Sequence, residues 1–175
     1  LIKPTDINGT RAVLSDPAEI HHLLHVLRFK VGEKVQLLDG MGGKYLSQIR
    51  AVSRQQIELK ILSINQAGAI RKSPLQLTLA MALVKRQAMD FIIEKAVEFG
   101  VTEIVPLKTE RSVVDIRTGA RQGRWERIIR AAAKQSGQAI LPTISSITEF
   151  DEFLEGVCRG AINCAPTFFL TPNPL

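Results

Sequence analysis

The stretch from Leu75 to Val84 constrains the fold of this chain more than any other. Only Gln76 and Thr78 interrupt a run of leucine, alanine, methionine and valine. No apolar run in the chain reaches the roughly 18 to 20 residues that a membrane span requires. A shorter continuous run reads as a β-strand buried on both faces, which is stable only under covering helices. The next segment supplies one. Met89, Ile92, Ile93, Ala96 and Val97 follow the spacing of a single helical face, and Gly100 stands where a left-handed cap closes it. Glu103-Ile104-Val105-Pro106-Leu107 predicts a second strand. Residues 121–136 predict a second helix, with Trp125, Ile128, Ile129 and Ala132 on its inner side. Thr143 to Ser146 resembles a strand end, and Ile147 to Gly156 a third helix capped by Thr148. Ala161 to Ala165 and Phe168 to Leu170 are strand-like again. Strand and helix in alternation describe an α/β domain with a mainly parallel sheet.

The chain ahead of this run has a different rhythm. Arg11 to Leu14 predicts a short strand. Ser15 or Asp16 caps a helix that has Pro17 in its first turn and runs to about Phe29. Val31-Gly32-Glu33 makes a turn, Lys34 to Leu38 a strand, and Asp39-Gly40-Met41-Gly42-Gly43 a hairpin loop. Tyr45 to Val52 and Gln56 to Ile64 alternate as strands about a Ser53-Arg54-Gln55 turn. Short strands, tight turns and one helix describe a small β-barrel of about 70 residues. The polar link from Gln66 to Ser73, with Gly68 and then Pro74, is the natural boundary. Two domains are therefore expected, over residues 1–70 and 74–175.

A net charge of +6 points to a polyanionic partner, most simply nucleic acid. Residues 1–72 hold 11 of the 23 Lys/Arg and 6 of the 17 Asp/Glu, so the first part is the more uniformly basic. In the second part the cations gather between Arg111 and Lys134. The Leu-Ile-Lys-Pro-Thr-Asp opening has no signal-peptide character. Cys158 and Cys164 read as reduced thiols, so the expected location is cytoplasmic.

Three sets of residues carry candidate chemistry. On the second α/β helix, Arg127, Arg130 and Lys134 fall opposite the apolar side, and Arg121 and Arg124 extend the positive surface. Glu126 is the only acid between residues 121 and 134, so intrahelical pairing does not account for these cations. Such a stripe neutralises phosphates, or is simply a solvated helix face. Arg28 and Lys30 end the first helix and are candidate RNA contacts. Lys85-Arg86 follows the first α/β strand, and Glu110-Arg111-Ser112 the second. The carboxyl ends of parallel strands are where open α/β sheets bind ligands. His21 and His25 lie one turn apart, but no acidic or cysteine partner accompanies them, and no metal is expected. The chain has no dinucleotide-binding glycine fingerprint after the first strand, no phosphate-binding P-loop and no nucleophile elbow. Residue chemistry alone describes a two-part RNA-binding protein and leaves its reaction open.

A longer set of motifs resembles one family. His22-Leu23-Leu24-His25-Val26-Leu27-Arg28 is similar to the N-terminal motif of the ribosomal RNA small subunit methyltransferase E family. Lys85, the stretch from Met89 to Val101, Ile104-Val105-Pro106 and Glu110-Arg111-Ser112 resemble its central motifs. Arg124-Trp125, Ile128, Ala132 to Ser136 and Leu141-Pro142 continue the likeness, which covers nearly the whole chain.

The resemblance implies a PUA-like β-barrel followed by a SPOUT-class α/β domain with a trefoil knot. It implies methyl transfer from S-adenosyl-L-methionine to N3 of a uridine in 16S ribosomal RNA, by a homodimer. From their place after the two strands Arg111 and Lys85 are the candidate catalytic residues, and from their charge and position Arg28, Lys30, Arg86, Arg124, Arg127 and Arg130 the candidate RNA contacts; the resemblance makes Leu170, Thr171 and Pro172 the start of the cofactor cleft. Two departures stand out. Many relatives have Glu where Lys134 stands and Arg where Gln138 stands. The family's Gly-Pro-Glu-Gly-Gly and Leu-Arg-x-Glu-Thr motifs are absent, so the knot region is expected to be missing and cofactor binding by these residues alone to be weak. A non-catalytic RNA-binding or ribosome-assembly module, and a SPOUT methyltransferase acting on another RNA, are the alternatives.

Overall fold

Strand alternation and tight turns organise the first part of the chain into one antiparallel sheet. The computed structural model describes residues 1–66, 76–110, 112 and 119–160. Strands β1 (Ile7–Asn8), β2 (Arg11–Leu14), β3 (Lys34–Leu38), β4 (Gly43–Val52) and β5 (Ile57–Gln66) pair in the order β1-β2-β5-β4-β3. β4 shifts register between Leu46 and Ser47 and again between Ile49 and Ala51, irregularities that bend a strand and sharpen its twist. The Ile2 N–H donates to the Leu38 carbonyl at 2.9 Å, so the segment before β1 reaches the end of β3, the opposite edge strand. Inward positions of β2, β4 and β5, among them Ala12, Leu14, Ile49, Ile57 and Leu59, are buried with Ile20 and Leu23.

Helix α1 (Pro17–His21) begins as its sequence dictates. Asp16 is the cap, its side chain accepting from the Ala18 N–H at 2.9 Å, and Pro17 opens the first turn. Its end differs from the expectation of a regular helix to about Phe29. The chain widens into a π-turn over His22–Val26, where the Leu27 N–H donates to His22 O at 2.9 Å. Arg28 then takes a left-handed conformation, φ 57°, and the Phe29 N–H returns to Leu23 O at 3.0 Å. Partly buried Phe29 packs against the core of the sheet, and seating it there reverses the chain.

In the second part, β6 (Thr78–Ala82), β7 (Glu103–Lys108), β8 (Thr143–Ile144) and β9 (Thr148–Glu149) form a parallel sheet in which β7 pairs with the other three. Helices α2 (Arg86–Glu98) and α3 (Gly119–Ser136) pack on it, burying Met89, Ile93 and Val97 against Trp125, Ile129 and Ala133. Gly100, φ 76°, follows α2, as the spacing predicted. Two expectations need correction. The first strand is shorter than Leu75 to Val84 and is half-buried rather than covered on both faces, because among the described residues β7 is the only strand that pairs with it and the helices meet one face. Thr148 does not cap a helix. It lies in β9, because the end of β7 offers free pairing to Thr148 and Glu149, and α4 (Phe150–Gly160) starts after it. Lys108 and Glu149 close that pairing at 2.5 Å. The expected linker from residue 67 to Pro74 and the expected strands at 161–165 and 168–170 lie outside the described residues.

A seam joins the two parts. The hairpin loop between β3 and β4 lies against the segment after α3, with Met41 and Ile140 as an antiparallel bridge. The Gly42 N–H donates to Ala139 O at 2.9 Å and the Leu141 N–H to Gly40 O at 3.0 Å. Lys44 Nζ donates to Gly137 O at 2.6 Å, just beyond the end of α3. Lys134 and Glu19 add an ion pair at 2.5 Å. The loop is held from within by Asp39, whose Oδ1 accepts from the Met41 and Gly43 N–H groups, each at 2.8 Å. Its Oδ2 accepts from the Tyr45 hydroxyl at 3.0 Å. Burial, and then that bond to a carboxylate, push the Tyr45 phenol above its ordinary value.

Candidate nucleic-acid interface

The candidate interface grows out of the contact between α2 and α3. β6 ends at Ala82, Leu83 turns into the core, and Lys85 takes the extended conformation that precedes a helix. Lys85 and Arg86 therefore stand exposed where the strand ends and α2 begins. Arg86 and Asp90 are one helical turn apart and share a face of α2. Arg124, one residue before buried Trp125, crosses from α3 to that face, where its Nη2 pairs with Asp90 Oδ2. The side chains of Arg124 and Asp90 are 28% and 21% exposed, and among the described residues Arg124 Nη1 and Asp90 Oδ1 are buried without a hydrogen-bond partner. Arg127 Nε donates to Gly123 O at 3.1 Å, which lays that side chain along its own helix.

Arg86, Arg124, Arg127, Ile128 and Ala131 together line an open groove of about 340 Å³. Three guanidinium groups over a partly apolar floor suit a phosphodiester or a stacked base. Asp90 fixes one of the three in place, which lowers the entropy lost on binding.

The structure brings Arg86, Arg124 and Arg127 to one place. Arg130 is exposed on α3 but does not line the groove. Arg28 and Lys30 are exposed on the first part of the chain, at the left-handed turn after the π-turn. Lys134 leaves the expected stripe, because its ammonium is committed to Glu19 across the seam. Arg111, Leu170, Thr171 and Pro172 lie outside the described residues. The rings of His21 and His25 stand 4.9 Å apart, and no group of three metal-ligating side chains occurs among the described residues.

Sequence reasoning missed Asp90 and Glu19. Asp90 had a signal: it is the acid one turn after Arg86 on a helix whose neighbour is rich in arginine. Glu19 had none, since its partner is set by how the two parts meet.

The pattern of a family described as the RNA methyltransferase domain matches residues 71–168. That of an RNA methyltransferase PUA domain matches residues 14–62. The chain is 33% identical over 140 residues to the ribosomal RNA small subunit methyltransferase E of Synechocystis sp., covering 80% of this chain and 45% of that protein. It is 26% identical to the Bacillus subtilis protein of the same name, covering 78% of this chain and 54% of the other. The chain thus spans about half the length of these curated relatives.

Among solved structures, the Neisseria gonorrhoeae ribosomal RNA small subunit methyltransferase E bound to S-adenosyl methionine is 30% identical, with a TM-score of 0.74. The match covers 87% of this chain and 63% of that one. A methyltransferase from Legionella pneumophila, also holding that cofactor, is 30% identical with a TM-score of 0.77, over 87% of this chain and 64% of the other.

Proposed function

Because this chain belongs to the RNA methyltransferase domain family, together with the ribosomal RNA small subunit methyltransferases E, we propose that it serves S-adenosyl-L-methionine-dependent methylation of uridine N3 in 16S ribosomal RNA. The observation that carries the proposal is the groove of Arg86, Arg124 and Arg127 beside Lys85, at the carboxyl end of β6. In this reading, residues 1–70 hold RNA as a PUA-like unit through Arg28 and Lys30. Residues 74–175 contribute to a knotted SPOUT-type unit that pairs into a homodimer and works in the cytoplasm, where small subunits are assembled. Among the described residues no helix is long and apolar enough to cross a membrane.

Methylation at N3 breaks the sulfur–methyl bond, leaving a neutral thioether, and requires loss of the imino proton to solvent, because neutral N3 is a poor nucleophile. Lys85 stands at the N-terminus of α2, where its ammonium and the helix dipole both favour negative charge. It is placed to stabilise a uracil anion while the arginines hold the flanking phosphates. Arg111, after β7, is assigned the same kind of role. The cofactor carries a sulfonium cation. The described grooves do not fit it, since their charged linings are mainly arginine and lysine, which repel a cation. Its assigned contacts, Leu170, Thr171 and Pro172, lie outside the described residues.

The test is transfer of labelled methyl from S-adenosyl-L-methionine to unmodified small ribosomal subunits, with the modified position read after nuclease digestion. This chain is assayed beside a version extended to the length of its relatives. The expected result is N3-methyluridine in 16S ribosomal RNA, abolished by Lys85→Ala while RNA binding persists. Label on another base or another RNA overturns the substrate assignment. Subunit binding with no label from either version removes the catalytic half of the proposal and leaves an RNA-binding module.

A further inference from the structure

The outer face of the five-stranded sheet carries a second cationic groove. Alternation sends Ala12, Ile57 and Leu59 into the core, so Arg11, Glu58 and Lys60 face outward. Arg50 joins them from the register shift between Ile49 and Ala51 and is exposed. With Thr10 and Leu59 these residues line a groove of about 220 Å³. The pairing of β2 with β5 sets Arg11 directly opposite Lys60, an arrangement that costs a sheet stability. Among the described residues Glu58 is the only carboxylate lining the groove, and it pairs with Arg11 at 3.0 Å. Those two side chains are 66% and 33% exposed, so the pair is held loosely.

Three cations against one acid, two of them forced together by strand register, make a positive surface that pairing within the groove does not neutralise. They stand on three adjacent strands, which at ordinary strand spacing spread them over about 10 Å. That is wider than one phosphate group and suits successive phosphates of a strand. We propose that this groove is a second RNA-backbone site, in which Arg11, Arg50 and Lys60 take phosphodiester groups and Glu58 is an internal anion that the RNA displaces. The inference rests on the RNA-binding part of the proposed function and adds a surface to it.

The probe is a uridine-rich single-stranded RNA oligonucleotide. Its affinity for the 175-residue chain is measured by fluorescence anisotropy over a series of KCl concentrations. The combined variant Arg11→Gln, Arg50→Gln, Lys60→Gln is expected to flatten the log-affinity against log-salt slope by about 2. Glu58→Gln is expected to tighten binding about two- to fivefold, by freeing Arg11. A gain of this kind does not arise from a damaged fold. An unchanged slope in the triple variant, or no gain in Glu58→Gln, overturns this site while leaving the arginine groove on α2 and α3 intact as the RNA contact. If the unsubstituted chain does not bind the oligonucleotide at all, the RNA reading falls and this inference falls with it.

Discussion

The helical groove and the sheet groove each contain an arginine–carboxylate pair, and the two pairs differ in depth. Arg124 and Asp90 are 28% and 21% exposed, bridge two helices and contain two buried atoms without partners among the described residues. Arg11 and Glu58 are 66% and 33% exposed and lie along neighbouring strands. Breaking a buried pair strands a charge that has already lost its water, whereas breaking an exposed one returns both groups to solvent. The helical pair is therefore part of the packing that positions the groove. The sheet pair, being exposed, contributes little to stability.

The largest effect that sharpens this contrast is expected from Asp90→Ala. Leaving Arg124 half-buried and unpaired should cost about 1–3 kcal/mol. Urea unfolding, followed by the fluorescence of Trp125, the only tryptophan, measures it directly. A loss no larger than that of Glu58→Ala would erase the distinction between the two pairs.

Gly40→Ala comes next and probes the seam that holds the two regions together. Gly40 has φ 77°, and a Cβ there would stand 2.9 Å from Leu141 Cδ1. The left-handed conformation and the contact together should cost about 1–2 kcal/mol. Small-angle scattering would also report any loosening of the two parts.

Arg28→Gly should act in opposite directions on stability and binding. Relief of a positive φ on a non-glycine residue is expected to raise stability by about 0.5–1 kcal/mol. Loss of the cation should weaken RNA binding and lower the salt slope by about 1. Thermal melts and anisotropy together separate the two effects.

The smallest effect concerns pH. The Tyr45 phenol is raised in the folded state, so the folded chain holds its proton to higher pH than the unfolded chain. Its contribution is complete below the ordinary tyrosine value near 10 and is lost as pH rises through the folded value. Tyr45→Phe should flatten that alkaline decline, and denaturant midpoints measured on either side of pH 10 test it.

Much of the fold was legible because its signals are local. Asp16 and Pro17 announce the start of α1 within two residues, and the face from Met89 to Val97 announces α2 in one window. The arginines that line the groove were legible one by one. Their convergence was not, because Arg86 and Arg124 meet only when α2 packs on α3. The end of α1 was misread because the π-turn follows from seating Phe29 in the core. The helix predicted at Thr148 was displaced by two residues of pairing with β7, an interaction that reaches 41 residues along the chain.

Periodicity, capping and charge by themselves determined the two-part organisation, the parallel character of the second sheet and the basic character of the whole. Each depends on residues within a few positions of one another. Tertiary structure alone decided which cations are available for a partner. Lys134 was withdrawn from the helical stripe by Glu19, and the glycine loop became a latch on the end of α3 through a contact 93 residues apart. Arg11, Arg50 and Lys60 were gathered from three strands into one groove. Whether a charge is free or committed depends on what lies within a few ångströms of it, and chain proximity does not record that distance.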